Sequence, residues 1–288
     1  MSFTGKNIVA GALVATALAT SAHAAEKKLT GDISIAATSS YFYQGVHQED
    51  SGLILQPAVN LNFSLFSDGN GVVKSLDLNA GLWNSIHSSN TGVAGGADKD
   101  SLYETDYTFG LTANLGDKIE LSVGFADLTS PNNAFGTVQE IRVGAQLICQ
   151  DVCGGKISKF NPRIDVVFET SGTAVGTDEG IGVNLSINPE LTFLNDFAVK
   201  GLTASLPVRV GLGFDDYYRT AAGGDETFGY LDAGVDFELP LNNVMPAGYG
   251  QWTLNTGVHG IYLNDNLERV NRGDNFEVYG FVGLKLAF

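Results

Sequence analysis

The chain runs to 288 residues, of which 44% are hydrophobic, 17% are charged and 36 are glycine. Its 32 acidic and 16 basic residues leave a formal charge of −16, which excludes the basic footprint that nucleic-acid binding requires. After residue 25 polar side chains interrupt every apolar stretch within a few positions, so no segment there reads as a membrane-spanning helix.

The chain opens on a leader. Lys6 is the only charge before Glu26, an apolar run extends from Ile8 to about Ala19, and Ala22-His23-Ala24 makes a small-x-small cleavage site. Residues 1–24 are expected to be a cleaved signal peptide, with mature protein starting at Ala25 and entering the periplasm. The apolar run is too short to span a bilayer as an anchor, and no Cys follows it, which argues against a lipoprotein.

From Thr30 onward the chain alternates apolar and polar residues in segments of about ten, the pattern of a strand with one apolar face. Residues 30–43 carry Ile33, Ile35, Ala37, Tyr41 and Tyr43 on one face. Residues 53–66 set Leu55, Val59, Leu61 and Phe63 against Gln56, Asn60 and Asn62. Leu76, Leu78, Ala80 and Leu82 alternate with Asp77 and Asn79. After a polar stretch come Tyr107, Phe109, Leu111 and Ala113 opposite Glu104 and Asp106. The rows Ile119–Phe125, Ile141–Leu147, Ile164–Phe168 and Ile181–Ile187 follow. The longest row runs from Leu202 to Phe214, the next from Leu231 to Leu239. Residues 252–262 alternate more weakly, and Val278, Val282, Leu284, Leu286 and Phe288 close the set.

That makes about twelve strands, an even number that returns both ends to the periplasm. The expected fold class is all-β: a transmembrane antiparallel up-and-down β-barrel in one domain, residues 25–288. Outer connections are expected near residues 44–52, 88–101, 128–137, 171–180, 215–226 and 263–275. The inner connections near 149–159 and 240–250 are longer than is usual for periplasmic turns. A soluble periplasmic sandwich would have no reason to end on an open strand at Phe288, whereas a barrel pairs that strand on both sides. The last strand also resembles the C-terminal signal by which Gram-negative outer-membrane proteins are recognised for insertion. Phe288 is the expected assembly signal, and the barrel-assembly machinery the expected partner.

Cys149 and Cys153 flank a three-residue turn. Export to an oxidising compartment makes a disulfide the expected state, pinning that turn. A metal site would need further ligands, and only Asp151 lies between them, so no metal and no cofactor are expected.

With apolar rows facing lipid, the intervening side chains line the lumen: Glu104, Asp106, Glu140, Arg142, Arg163, Asp165, Glu169, Arg209, Asp232, Asp236, Glu277 and Lys285. Reflection across the connections sets Arg209 beside Asp232 and Arg142 beside Asp165 as cross-strand ion pairs. Aromatics near strand ends, among them Tyr41, Tyr43, Phe66, Tyr103, Phe125, Phe214, Phe237, Trp252 and Phe288, suit interfacial girdles. Twelve strands lie between barrels filled by side chains and barrels that enclose a channel, so strand number leaves both open.

One candidate for chemistry stands out. His87-Ser88-Ser89-Asn90 resembles the His-x-Ser-Asn sequence of outer-membrane phospholipase A and of the lipid A deacylase. Residues two apart share a strand face, so His87 could activate Ser89, with Glu104 or Asp100 orienting the ring. The neighbouring apolar row sends both to the lumen, away from lipid. The plain alternative is a polar strand end entering a loop.

The stretch Ser39-Ser40-Tyr41-Phe42-Tyr43-Gln44-Gly45-Val46-His47-Gln48-Glu49-Asp50, followed by Gln56-Pro57, resembles the opening of the TorF-like family of proteobacterial outer-membrane proteins. Trp83-Asn84-Ser85 and Tyr103-Glu104-Thr105-Asp106-Tyr107 resemble its next segments, and the spacing continues to Pro131 and Glu140. Gln44 stands where the family has Arg, and His47 where it has Ser, so no role of that Arg carries over. The resemblance implies an outer-membrane barrel in which transport is suspected; it supplies no substrate.

The expected function is a monomeric, passive, porin-like path for a small solute, with a mildly cation-favouring lumen, in contact with outer-membrane lipid and lipopolysaccharide. The alternatives are a lipid hydrolase using His87 and Ser89, and a non-conducting barrel that binds through loop aromatics such as Tyr217 and Tyr218.

Overall fold

Alternation of the kind seen along this chain can satisfy its backbone in lipid only if the strands close on themselves, because an open edge leaves N–H and C=O groups unpaired. The computed structural model describes residues 28–67, 71–89, 101–152, 155–221 and 224–288. The expected leader therefore lies outside the described residues. In chain order the strands are β1 (Leu29–Thr38), β2 (Tyr41–Tyr43), β3 (Val46–Glu49), β4 (Ile54–Ser67), β5 (Val73–His87), β6 (Leu102–Leu115), β7 (Ile119–Thr129), β8 (Val138–Leu147) and β9 (Gln150–Val152). They continue as β10 (Ile157–Lys159), β11 (Arg163–Ser171), β12 (Ile181–Ile187), β13 (Glu190–Leu191), β14 (Thr203–Ser205), β15 (Val208–Phe214), β16 (Phe228–Pro240), β17 (Gln251–Leu263) and β18 (Phe276–Ala287). Among the described residues one short α-helix, α1 (Asp265–Val270), lies in the last outer loop.

Twelve of these strands form a closed antiparallel barrel in the order β15, β12, β11, β8, β7, β6, β5, β4, β1, β18, β17, β16, with β16 returning to β15. The final strand seals the ring: Leu286 lies opposite Ile33 and Leu284 opposite Ile35, and Phe288 exchanges both backbone hydrogen bonds with Gly31. The apolar rows face outward; Ile35, Leu121, Ile141, Leu185, Val258 and Val282 are among the exposed side chains. The end that carries both described termini is called periplasmic here, as in bacterial barrels.

Two departures from the expected strands matter. The first strand ends at Thr38, and Tyr41–Glu49 form a separate hairpin, β2–β3, that pairs with no barrel strand. The long row from Leu202 breaks at Leu206-Pro207, so β14 and β15 are separate. This break is one of four at a single level. β9 continues β8, β10 leads into β11, β13 continues β12, and β14 leads into β15. The short segments pair in the order β9, β10, β13, β14, and β14 pairs with the lower part of β16.

Pro162, Pro189 and Pro207 occupy three of the breaks, where a residue without an N–H cannot complete a ladder. Their carbonyls still accept from neighbouring strands: Leu147 N to Pro162 at 2.9 Å, Leu206 N to Pro189 at 3.0 Å and Gly234 N to Pro207 at 3.0 Å. The wall is thus creased, and a four-stranded flap extends it on the periplasmic side. This accounts for the long inner connection near 149–159. The one near 240–250 holds a 3-10 turn, Ala247–Tyr249.

Candidate functional site: the barrel lumen

The hairpin β2–β3 is the central feature of the bore. Its two-residue turn, Gln44-Gly45, has positive φ at both positions, 49° and 87°, as tight hairpins require. A Cβ at residue 45 would meet Leu267 Cδ1 at 2.7 Å, so glycine is also needed for the tip to fit against α1. Tyr41 and Tyr43 therefore do not join a girdle: they point into the lumen, because the chain turns inward after Thr38. Tyr103, also expected in a girdle, is buried beside them and donates to Gln48.

The hairpin is fastened by side chains. Tyr41 donates to Glu104 Oε2 at 2.8 Å, and Tyr43 to Glu140 Oε1 at 2.6 Å. Arg142 lies 2.7 Å from Glu140 Oε2 and donates to the Tyr43 hydroxyl at 3.2 Å. Asn271 accepts from His47 N and donates to the Gly45 carbonyl. Around these contacts pack Val46, Tyr217, Tyr218, Tyr230, Ile261 and Leu267. Tyr217 and Tyr218 enter from the loop after β15 and are fully buried, so they are not surface-binding aromatics. Their rings lie over Gly182, Gly213 and Gly229, where any Cβ would collide with them. Burial pushes both phenols well above their ordinary pKa.

His87 is at the seam between hairpin and wall. Its Nε2 lies 2.7 Å from Ser85 Oγ, not from Ser89. Residues 85 and 87 share the lumenal face of β5, whereas Ser89 follows the strand end and lies over Gly52. Asp100 lies outside the described residues, and Glu104 is engaged by Tyr41. The acid nearest the other ring nitrogen is Glu49, at 3.8 Å from Nδ1. A hydroxyl, an imidazole and a carboxylate are thus in sequence. Ser85 and His87 are each 0% exposed, and the Tyr103 ring stacks on the imidazole at 4.6 Å.

Below the hairpin the bore holds a cavity of about 630 Å³, lined from Tyr41 and Gln44 at the hairpin to Asn161 and Asn188 at the crease. Arg163 chelates Asp165 at 2.7 Å and reaches Glu120 at 3.0 Å. The expected pair between Arg142 and Asp165 is not formed. Each arginine instead takes the carboxylate two residues away on its own strand face. Arg209 does lie opposite Asp232 in register, yet Asp232 is held by His259 Nδ1 at 2.7 Å and by the Tyr279 hydroxyl at 2.5 Å. His259 Nε2 reaches Asp236 at 3.0 Å. An imidazole donates from both nitrogens only when doubly protonated. Glu169 closes the outer loop after β11 by accepting from Ala174 N and Gly180 N. Glu277 and Lys285 lie on the lumenal face of β18.

Sequence reasoning missed Glu49, Ser85, His259 and Tyr279 as parts of the lumen. A cue existed for the last two: they fall on the polar side of the rows at 252–262 and 276–288. Cys149 directly precedes β9; Cys153 lies outside the described residues, and with it the expected disulfide. Among the described residues no group of three or more His, Cys, Asp or Glu side chains is placed to hold a metal ion.

No family model and no curated protein matches the chain. Solved structures similar to it include an outer-membrane channel from Pseudomonas putida F1, at 11% identity over 90% of this chain and 95% of that one, with a TM-score of 0.48. Outer membrane phospholipase A from Escherichia coli is similar at 12% identity, over 89% and 92%, with a TM-score of 0.46. The NanC porin is similar at 13% identity, over 88% and 98%, with a TM-score of 0.44. Likeness of this order speaks to no residue of the lumen.

Proposed function

We propose that the protein is an outer-membrane barrel offering small solutes a passive, cation-favouring path, closed at its outer mouth here by the hairpin β2–β3. The observation that carries this is the independence of the hairpin. It forms its own two-stranded sheet, joined to the barrel by side chains alone, above a polar cavity of about 630 Å³. It can leave without breaking a barrel ladder. Its seam with the wall also contains buried polar atoms that lack hydrogen-bond partners, among them His47 Nε2, Glu49 Oε2 and His87 Nδ1. Such groups weaken the closed arrangement. Carboxylates outnumber cationic groups along the lumen, which favours cations by field rather than by a single selective residue.

The test is planar-bilayer recording of refolded wild-type protein beside a variant in which residues 40–50 are replaced by a short Gly-Ser link. The expected result is brief openings in the wild type and steady cation-preferring conductance in the variant. Silence of both across salt and voltage overturns the channel and leaves a structural barrel.

A second reading rests on the 2.7 Å contact between Ser85 and His87. Ester hydrolysis would need the hairpin to withdraw, since both residues are covered; Glu49 leaves with it, so this reading is of a Ser85–His87 dyad without that acid. Hydrolysis of phospholipid by the hairpin-deleted protein that disappears in Ser85→Ala would support it; equal rates would remove it.

A further inference from the structure

We propose that the outer wall at the crease, together with the loop between β13 and β14, binds an anionic phospholipid of the periplasmic leaflet. The proposal rests on the outer-membrane reading but not on passage of solutes. The wall just above the crease carries an apolar groove of about 520 Å³ on the lipid side. Its floor is a row across neighbouring strands: Ile119 opposite Leu147, then Ile164 opposite Leu185, then Leu185 opposite Val210. Pro162 bounds it where the strands break. Its shape and chemistry suit an acyl chain.

The loop beside it is unusual. Phe193 is 66% exposed, Phe197 79% and Val199 52%. Slackness does not explain this, because the loop is tied by its own backbone: Asn195 N to Thr192 O, Phe197 N to Leu194 O, Leu202 N to Val199 O and Asp196 N to Leu202 O. Its side of the wall can be deduced. Ala204 lies opposite Phe237, which belongs to the outward row of β16, and yet Ala204 is 1% exposed. Something on the outward face covers it, and the 3-10 turn Thr192–Leu194 is what packs against β14. The loop that carries the exposed phenylalanines therefore leaves the wall on its outward face, below the crease; on the outer-membrane reading that is the level of the periplasmic lipid interface, where aromatic rings are stable.

Charge selects the headgroup. Lys118 immediately precedes the groove residue Ile119, the Lys156 carbonyl accepts from Thr192 N, and Lys200 is in the loop itself. All three are exposed, and the ion pairs among the described residues leave each without a carboxylate. Set against the exposed Asp117 and Asp196, the three lysines leave the segments around the apolar groove with a net positive charge, which matches a phosphate above an acyl chain.

The test uses full-length mature protein carrying Phe193→Trp or Phe197→Trp in a Trp83→Phe, Trp252→Phe background, refolded into vesicles of phosphatidylethanolamine with and without phosphatidylglycerol, one lipid at a time brominated on its acyl chains. Heat-modifiable migration on gels first verifies insertion; its failure would count against the outer-membrane reading, not against this site. The expected result is quenching of the new indole by brominated lipid, stronger for phosphatidylglycerol. That preference should fall by about fivefold for each of Lys118→Gln, Lys156→Gln and Lys200→Gln. An indole that emits from water and is quenched by acrylamide alone overturns the proposal. So does equal quenching by the two lipids.

Discussion

At the outer mouth the lumen holds Tyr41, Tyr43, Tyr103, Tyr217 and Tyr218, packed around carboxylates that water does not reach. At the periplasmic end the same barrel encloses a cavity in which Arg163, Asp236 and Arg209 stay in contact with solvent. The strands are continuous between these regions, so they do not cause the difference. The outer half is filled by what the loops deliver: a hairpin from one, two tyrosines from another, a helix from a third. Among the described residues the periplasmic half receives no such insertion, because the extra chain on that side forms a flap outside the bore.

Given this contrast, equivalent substitutions must differ between the halves. The largest difference is expected at the two arginines. Glu140→Leu removes the buried partner of both Arg142 and Tyr43, and should cost about 3 kcal/mol in urea unfolding of the vesicle-inserted protein. Asp165→Leu leaves Arg163 with Glu120 in a wetter site, and should cost about 1 kcal/mol. Equal losses would break the comparison.

Next comes steric filling. A Cβ on Gly229 would meet the Tyr218 ring at 2.1 Å, so Gly229→Ala should destabilise by about 1–3 kcal/mol and expose the outer loop to protease. Gly248, in a periplasmic turn, has nothing within 4 Å of such a Cβ, and Gly248→Ala should stay within about 0.5 kcal/mol of wild type.

The smallest effect belongs to the flap. Burial raises the Glu190 carboxyl, but hydrogen bonds from Lys159 and Ser158 outweigh it and hold the pKa below its usual value. A depressed carboxylate stabilises the fold above its unfolded pKa and loses that contribution as the pH falls through the folded one. Lys159→Ala should therefore matter by about 0.5 kcal/mol at neutral pH and not at all in strong acid. Unfolding titrations of the variant at the two pH values read this directly.

Much of the barrel was legible because its signal is local. Ile33, Leu61, Leu78 and Leu121 alternate with polar neighbours, and a period of two assigns inside and outside from adjacent residues alone. The lumenal positions of Glu104, Glu140, Arg163 and Lys285 followed from that. The partners within the lumen did not. Reflection across connections assumes that an arginine pairs with its neighbour strand, whereas a long side chain also reaches two residues along its own face, as Arg142 and Arg163 do. Ser89 was paired with His87 on strand periodicity, but β5 ends at His87, so only Ser85 shares its face.

The sequence by itself determined the strand count, the faces, the closure of β18 on β1 and the acidic character of the bore, since each depends on period, parity or composition. Tertiary structure alone decided that Tyr41 and Tyr43 turn inward, that Tyr217 and Tyr218 fill the mouth, and that three prolines crease one wall at a common level. The reason is physical. Strand periodicity is a property of consecutive residues, whereas a loop folds into a bore only when glycines at 182, 213 and 229, far apart in the chain, leave room for it together.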